Sequence, residues 1–261
     1  MQIRFQQRSV FLIALGLFSS VCAGSYWYHA HSTELSFTGG AAFSNLTNTN
    51  QVAVSPFITN TYNPIQETRS GIFAGASMSN VFELPHHFLV TVGPAAYFTD
   101  LDKIHGTEIP ASNLSLLDGT PDTLNYQFVG KSVAFMLESK LVYDAYSWQP
   151  FVLAGIGDAI NYLQGYNEVP TDPNGTASPA PVTFGNRSLN CFAYEIGLGL
   201  SRQLFVDRKR EVSYGASLGY RYLNFGNGSL GMLPGAAPGQ TLRVNPLNTQ
   251  AVTLSLTAAF N

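Results

Sequence analysis

Over most of its length this chain places an apolar residue at every second position, with glycine, serine or threonine in between rather than charge. The last segment is the clearest case. There Val252, Leu254, Leu256, Ala258 and Phe260 alternate with Ala251, Thr253, Ser255, Thr257 and Ala259. Farther upstream, Phe192, Tyr194, Ile196, Leu198 and Leu200 alternate with Ala193, Glu195, Gly197, Gly199 and Ser201. Tyr214, Ala216, Leu218, Tyr220 and Tyr222 alternate in the same way with Ser213, Gly215, Ser217, Gly219 and Arg221. A period of two is the signature of a strand with unlike faces. In a soluble sandwich the second face would be rich in charge, whereas here it is small and weakly polar. The pattern predicts eight strands near 33–43, 69–82, 87–99, 124–142, 150–164, 189–205, 212–225 and 248–260, with no convincing helix.

The connections between these segments alternate in length. Those at 44–68, 100–123, 165–188 and 226–247 are long, and those at 83–86, 143–149 and 206–211 are short. With an even strand number, this places all the long loops at one end. Prolines and glycines crowd the long ones, among them Pro170, Pro173, Gly175, Pro179 and Pro181. Aromatics gather toward the strand ends. Phe82, Phe88, Tyr143, Tyr146, Trp148, Phe151, Phe205 and Phe260 lie toward the short turns. Phe73, Phe98, Tyr126, Tyr162, Phe192, Tyr194, Tyr220, Tyr222 and Phe225 lie toward the long loops. Two girdles at headgroup level are the expectation.

Composition sharpens this picture. Charged residues make up only 11% of the 261-residue chain and aromatics 13%. Beyond the N-terminal region no run of about 18 apolar residues is present to cross a bilayer as a helix. Low charge without such a helix is the composition of a transmembrane β-barrel, whose lipid-facing residues alternate with small or polar lumenal ones. Arg4 and Arg8, the apolar run Val10 to Phe18 and the small-residue site Val21-Cys22-Ala23 read as a secretory signal peptide over 1–23, leaving 24–261 as the barrel domain. A lipidated Cys22 ranks second, because Ser19-Ser20-Val21 lacks the usual preceding residues. Removing 1–23 leaves 11 basic against 16 acidic residues and a net charge of −5. That balance offers no electrostatic footprint for nucleic acid. Cys191 then stands alone, which excludes an internal disulfide.

The segments Gln149-Pro150-Phe151-Val152-Leu153-Ala154-Gly155-Ile156-Gly157 and Leu218-Gly219-Tyr220-Arg221-Tyr222, together with the C-terminal strand, resemble the small outer-membrane β-barrels of the opacity-protein and OmpA-like type, a porin-like family. The resemblance covers the whole of 24–261. It implies an all-β, eight-stranded antiparallel transmembrane barrel of a Gram-negative outer membrane, with short periplasmic turns, four long extracellular loops and no cofactor. Its implied partners are outer-membrane lipid and lipopolysaccharide, a host or surface ligand at the long loops, and the barrel-assembly machinery at the C-terminal strand. Family barrels commonly end on an aromatic residue; here Phe260 is penultimate and Asn261 follows. Family roles vary among surface integrity, adhesion and small-solute passage.

Chemistry-bearing motifs are sparse. Gly215-Ala216-Ser217-Leu218-Gly219 has the spacing of a nucleophile elbow, but no Asp, Glu or His follows Ser217 to complete a triad. His29 and His31 read as a solvated terminus, and His86-His87 after Pro85 as a tight turn. Asp100, Asp102, His105 and Glu108 cluster in one long loop. Barrel proteases need partners on opposite loops, and the third long loop offers only Glu168 and Asp172, the fourth neither acid nor histidine. The sequence therefore reads as a non-enzymatic barrel displaying surface loops. A small-solute channel is the alternative, kept open by lumenal glycines, and a membrane-embedded enzyme comes third. No catalytic, metal or cofactor residue is assigned.

One polar set is expected inside the barrel. If the hairpin between the sixth and seventh strands is centred on Arg208, Leu198 faces Leu218 toward lipid while Glu195 faces Arg221 within. A slip of two residues leaves that pair diagonal and still within reach. Glu138 and Lys140 of the fourth strand are expected to join them, giving a lumenal network of Glu138, Lys140, Glu195 and Arg221.

Overall fold

A computed structural model describes residues 32–44, 49–55, 58–65, 69–109, 123–144, 146–171, 184–232 and 241–260. The segment read as a signal peptide, His29, His31 and Asn261 all lie outside the described residues. The strands are β1 (Ser32–Ser44), β2 (Asn50–Ser55), β3 (Ile58–Pro64), β4 (Arg69–Leu84), β5 (Phe88–Ile109), β6 (Leu124–Tyr143), β7 (Gln149–Pro170), β8 (Arg187–Asp207), β9 (Val212–Asn224), β10 (Gly228–Ser229), β11 (Arg243–Val244) and β12 (Asn248–Phe260).

Eight of these form a closed antiparallel ring in the order β1, β4, β5, β6, β7, β8, β9, β12. Closure runs from Thr33 opposite Phe260 to Ser44 opposite Thr249. Closure matters because hydrocarbon offers no hydrogen bonds to an open sheet edge. The alternation sorts as expected across the wall. Val252, Leu254, Leu256, Ile196, Leu198 and Leu218 face outward and exposed, while Ala251, Thr253, Ser255 and Glu195 face inward and buried. On β8 the outward apolar row runs from Phe192 to Leu200, the length about 9–11 tilted residues need to cross a bilayer. The molecule is an eight-stranded transmembrane β-barrel.

Short turns at 85–87, 144–148 and 208–211 close one end. The positive-φ residues His86, His87 and Glu211 sit in the first and last of these.

The other end departs from the sequence expectation. Strands β5 to β8 run 20–22 residues while β1, β9 and β12 run 13. Asp100 to Ile109, read as loop, is strand, and so are parts of 44–68. There β2 and β3 form a hairpin that joins the sheet through Thr61–Pro64 on β5. The physical reason is an inversion of polarity. Above the apolar belt the outward positions become Lys103, His105, Thr107, Asn125 and Gln127, and the inward ones become Leu101, Ile104, Leu124, Tyr126 and Phe128. Water replaces lipid outside, and an aromatic core replaces glycine and serine inside. The period of two persists, but its faces exchange roles after a bulge between Asp100 and Lys103.

The same inversion corrects the aromatic girdles. Phe98, Tyr162, Phe192, Tyr194 and Tyr220 do ring the outside at the long-loop end, and Tyr146, Trp148, Phe205 and Phe260 at the other. Phe73, Tyr126, Phe225 and Phe151 instead point inward and are buried. Ser217 lies mid-strand opposite Ser201 and Ser255, with no elbow.

Leu254 pairs with Leu218 near the middle of the outward apolar rows. Leu254→Arg is expected to lower unfolding free energy in lipid vesicles by about 2–4 kcal/mol, read from denaturant titration of tryptophan fluorescence.

Candidate functional site

The lumen is stratified, and its layers follow from which small residues line which strand. At the turn end a cavity of about 210 Å³ opens to solvent between Ser32, Thr91, Gln149, Ser213 and Thr257. On its wall Lys140 Nζ donates to Glu34 Oε1 at 2.7 Å.

Above it lies the central charge cluster. Arg221 Nη1 of β9 donates to Glu138 Oε2 of β6 at 2.7 Å and to Glu195 Oε2 of β8 at 3.1 Å. It also reaches Tyr97 Oη of β5 at 2.7 Å, and the guanidinium sits 5.0 Å from the Tyr97 ring centroid. Tyr97 in turn donates to Glu138. Four strands are thereby tied across the lumen. Glycines make the room: a Cβ on Gly155 would come 2.7 Å from Glu195 Oε1, and one on Gly197 would come 3.2 Å from Arg221 Cγ. Two carboxylates face one arginine, and Glu195 Oε1 has no hydrogen-bond partner among the described residues.

Of the four residues expected to form one network, the structure brings together Glu138, Glu195 and Arg221. Lys140 departs from the expectation: it pairs with Glu34, a partner on β1 that the sequence argument left out. The register also differs by two residues. Arg221 lies opposite Gly197, and Glu195 opposite Leu223. The four-residue turn at 208–211 is centred between Lys209 and Arg210 rather than on Arg208, and the bulge at Leu204, which takes one β8 residue out of the ladder, brings the displacement back to two. Glu195 therefore reaches Arg221 diagonally. Tyr97 was missed altogether; its inward parity on β5 was the available signal.

Toward the long-loop end Phe73 stacks on Tyr97 at 5.2 Å between centroids. Beyond them Tyr62, Tyr126, Phe128, Tyr166 and Phe184 pack edge-to-face or stacked, with centroids 4.9–6.4 Å apart. Part of the connection between β9 and β12 folds down onto this core. Asn161, holding Ser132 at 2.6 Å, donates to the carbonyls of Phe225 and Asn227 at 2.7 and 2.9 Å. Gly226 adopts φ +74° with Cys191 pressed against it, and Leu230, Leu242 and Leu247 complete a buried lid. The lumenal Gly199 and Gly219 accommodate the ring of Phe151, which reaches from β7 over β8 to β9.

Within the aromatic core sit two acids. Glu108, 0% exposed, accepts from Asn60, and Glu168 accepts from Tyr166. Both lie above the apolar belt. Burial, reinforced by the neighbouring Glu168 carboxyl, pushes the Glu108 carboxyl up to about 8. Of the loop cluster, Glu108 points into the core and His105 to the outside of the same strand, while the side chain of Asp102 lies outside the described residues.

No family model and no curated protein matches the chain. Among solved structures it is similar to Neisserial surface protein A (9% identity, 85% of this chain and 95% of that one, TM-score 0.36). It is similar also to the outer membrane protein OprG from Pseudomonas aeruginosa (11%, 88% and 97%, TM-score 0.36) and to Ail, the attachment invasion locus protein of Yersinia pestis (10%, 86% and 98%, TM-score 0.31). The closed ring of this chain, rather than these distant likenesses, fixes its fold.

Two outcomes follow. Arg221→Gln strands two buried carboxylates and is expected to cost about 3–5 kcal/mol. Glu195→Gln costs less, and the double variant less than the sum; a denaturant double-mutant cycle reads the coupling. For Glu108 the folded state holds a proton that the unfolded state releases above about pH 4.5. Stability from this group is therefore greatest below that pH and falls as pH rises toward about 8, levelling off beyond. Glu108→Gln is expected to flatten that decline in thermal midpoints measured from pH 5 to 9.

Proposed function

We propose that this protein is an outer-membrane barrel whose role is to hold its long connections outside the cell, without catalysis and without an open pore. The observation that carries this reading is the filled lumen. From the Arg221 cluster through the aromatic core to the lid of Leu230, Leu242 and Leu247, the described interior is occupied by packed side chains. The lengthened strands β5 to β8 and the β2–β3 hairpin build a rigid head beneath the long connections. Binding residues are commonly found on loops positioned by such a scaffold. In this reading residues 1–23 serve for export, and β12 presents the assembly signal. Lipid and lipopolysaccharide cover the apolar belt, and a host or surface ligand meets the loops.

Small-solute passage would require the Arg221 cluster and the lid to move together. A narrow eight-stranded barrel has room for little more than its side chains. Against catalysis by the two acids of the aromatic core, Glu108 is sealed among tyrosines and Glu168 is also buried.

Purified protein in planar bilayers is expected to show no steady conductance; ohmic single-channel steps would replace this reading with the channel. Trypsin added to intact cells should spare Arg208 and Lys209 at the short turn, while a broad-specificity protease cuts between Thr171 and Asn186. Cleavage at Arg208 in sealed cells would invert the orientation.

A further inference from the structure

The short-turn end is not level. The β7–β8 ladder stops where Gln149 meets Ser201. From there β8 continues with β9 alone, to Asp207 opposite Val212. Over Arg202–Asp207 the side of β8 that faced β7 has no strand paired to it among the described residues. It is a free strand edge of six residues, about 20 Å long. Leu204, Phe205 and Val206 are consecutive and all at least half exposed. On the outer face Phe205 stacks on Tyr214 of β9 with ring centroids 4.5 Å apart, and Leu204 and Val206 are left without such cover. Charge brackets the edge. Arg202 stands at one end, its guanidinium 5.3 Å from the Trp148 ring, and Arg208, Lys209 and Arg210 stand at the other. Within 202–211 the acids are Asp207 and Glu211, and Asp144 lines the cavity beside Arg202.

Natural proteins blunt such edges with bulges, prolines or inward charges, because an open apolar edge recruits strands. Here the bulge falls on Leu204, the first residue of the exposed run, which leaves Phe205 to Asp207 beyond it unblunted, and no proline intervenes. We infer that the β8 edge at Arg202–Asp207 docks an extended acidic peptide segment of a partner protein, added as a strand beside β8. The backbone groups of the edge would supply the hydrogen bonds, Leu204 and Val206 the apolar contacts, and the four cations the preference for acid.

Two other occupants fit less well. Lipid cannot pair a backbone edge, and after the bulge Val206 lies opposite Ser213 on the lumenal side of the hairpin, away from the bilayer. A second copy would be inserted with the same polarity in the same membrane. Its β8 would therefore run parallel, whereas the opposition of Arg202 to Asp207 needs an antiparallel mate. That the partner is periplasmic rests on the orientation proposed above, but the binding itself does not.

The test uses the protein purified from membranes in detergent micelles, where orientation plays no part. The probe is a fluorescent extended peptide alternating valine and threonine and flanked by glutamates. Saturable, salt-sensitive anisotropy is expected, at least about tenfold tighter than for the same peptide flanked by lysines. Hydrogen exchange should slow at Arg202–Asp207 on binding. Val206→Lys, and separately Arg208→Glu with Lys209→Glu, alter exposed positions. Each should weaken binding about tenfold or more while the unboiled gel shift of the folded barrel persists. Absence of saturable binding, equal affinity for the lysine-flanked peptide, or indifference to both variants would overturn the inference. So would protection of the edge without peptide, whether in phosphatidylglycerol nanodiscs or with rising protein concentration.

Discussion

Everything in this molecule depends on the hydrogen-bonding needs of a backbone inside hydrocarbon. A strand in lipid must pair on both sides, and eight strands can do so only by closing β12 onto β1. Closure then dictates the rest. The outer face must be apolar over the height of the bilayer, and the inner face must fit a cross-section that side chains largely fill. The chain meets both demands with one alternating pattern, in which leucine, isoleucine and aromatics point out and residues with little or no side chain point in.

A narrow interior makes any charge inside it consequential. Arg221 is tolerated because Glu138, Glu195 and Tyr97 surround it, and those partners fit because Gly155 and Gly197 leave space. The cluster ties four strands that are not all neighbours, so it acts across the ring rather than along the ladder. Lys140 belongs to a different layer with Glu34, nearer the solvent-filled vestibule.

The membrane part of the fold was legible in the sequence because lipid imposes a one-sided pattern that no soluble sheet shows. The strand set, the short turns and the inward parity of Glu138, Glu195 and Arg221 all followed from it. What could not be read was the head. Above Asp100 the same period of two carries apolar residues inward, so under the lipid rule Leu101 and Ile104 read as loop and Tyr126 as an outward girdle residue. The β8–β9 register escaped for a different reason: neither the centre of the turn, between Lys209 and Arg210, nor the bulge at Leu204 leaves a mark in composition, and a displacement by two preserves every inside and outside assignment. Tyr97 and Glu34 show a further limit. Parity says which side chains face the lumen, but not at which height two of them meet.

The polarity reversal at Asp100 also means that the molecule has two sources of cohesion stacked end to end. Below, the bilayer holds the greasy rows in place; above, the packing of Tyr62, Tyr126, Tyr166 and Phe184 does so in water, as in a small soluble protein. The described ends of the long connections, at Ile109, Leu124, Thr171 and Phe184, spring from the upper of these and not from the apolar belt. Their sequences can therefore drift, lengthen or be exchanged under selection by whatever they meet, while the part embedded in lipid need not register the change.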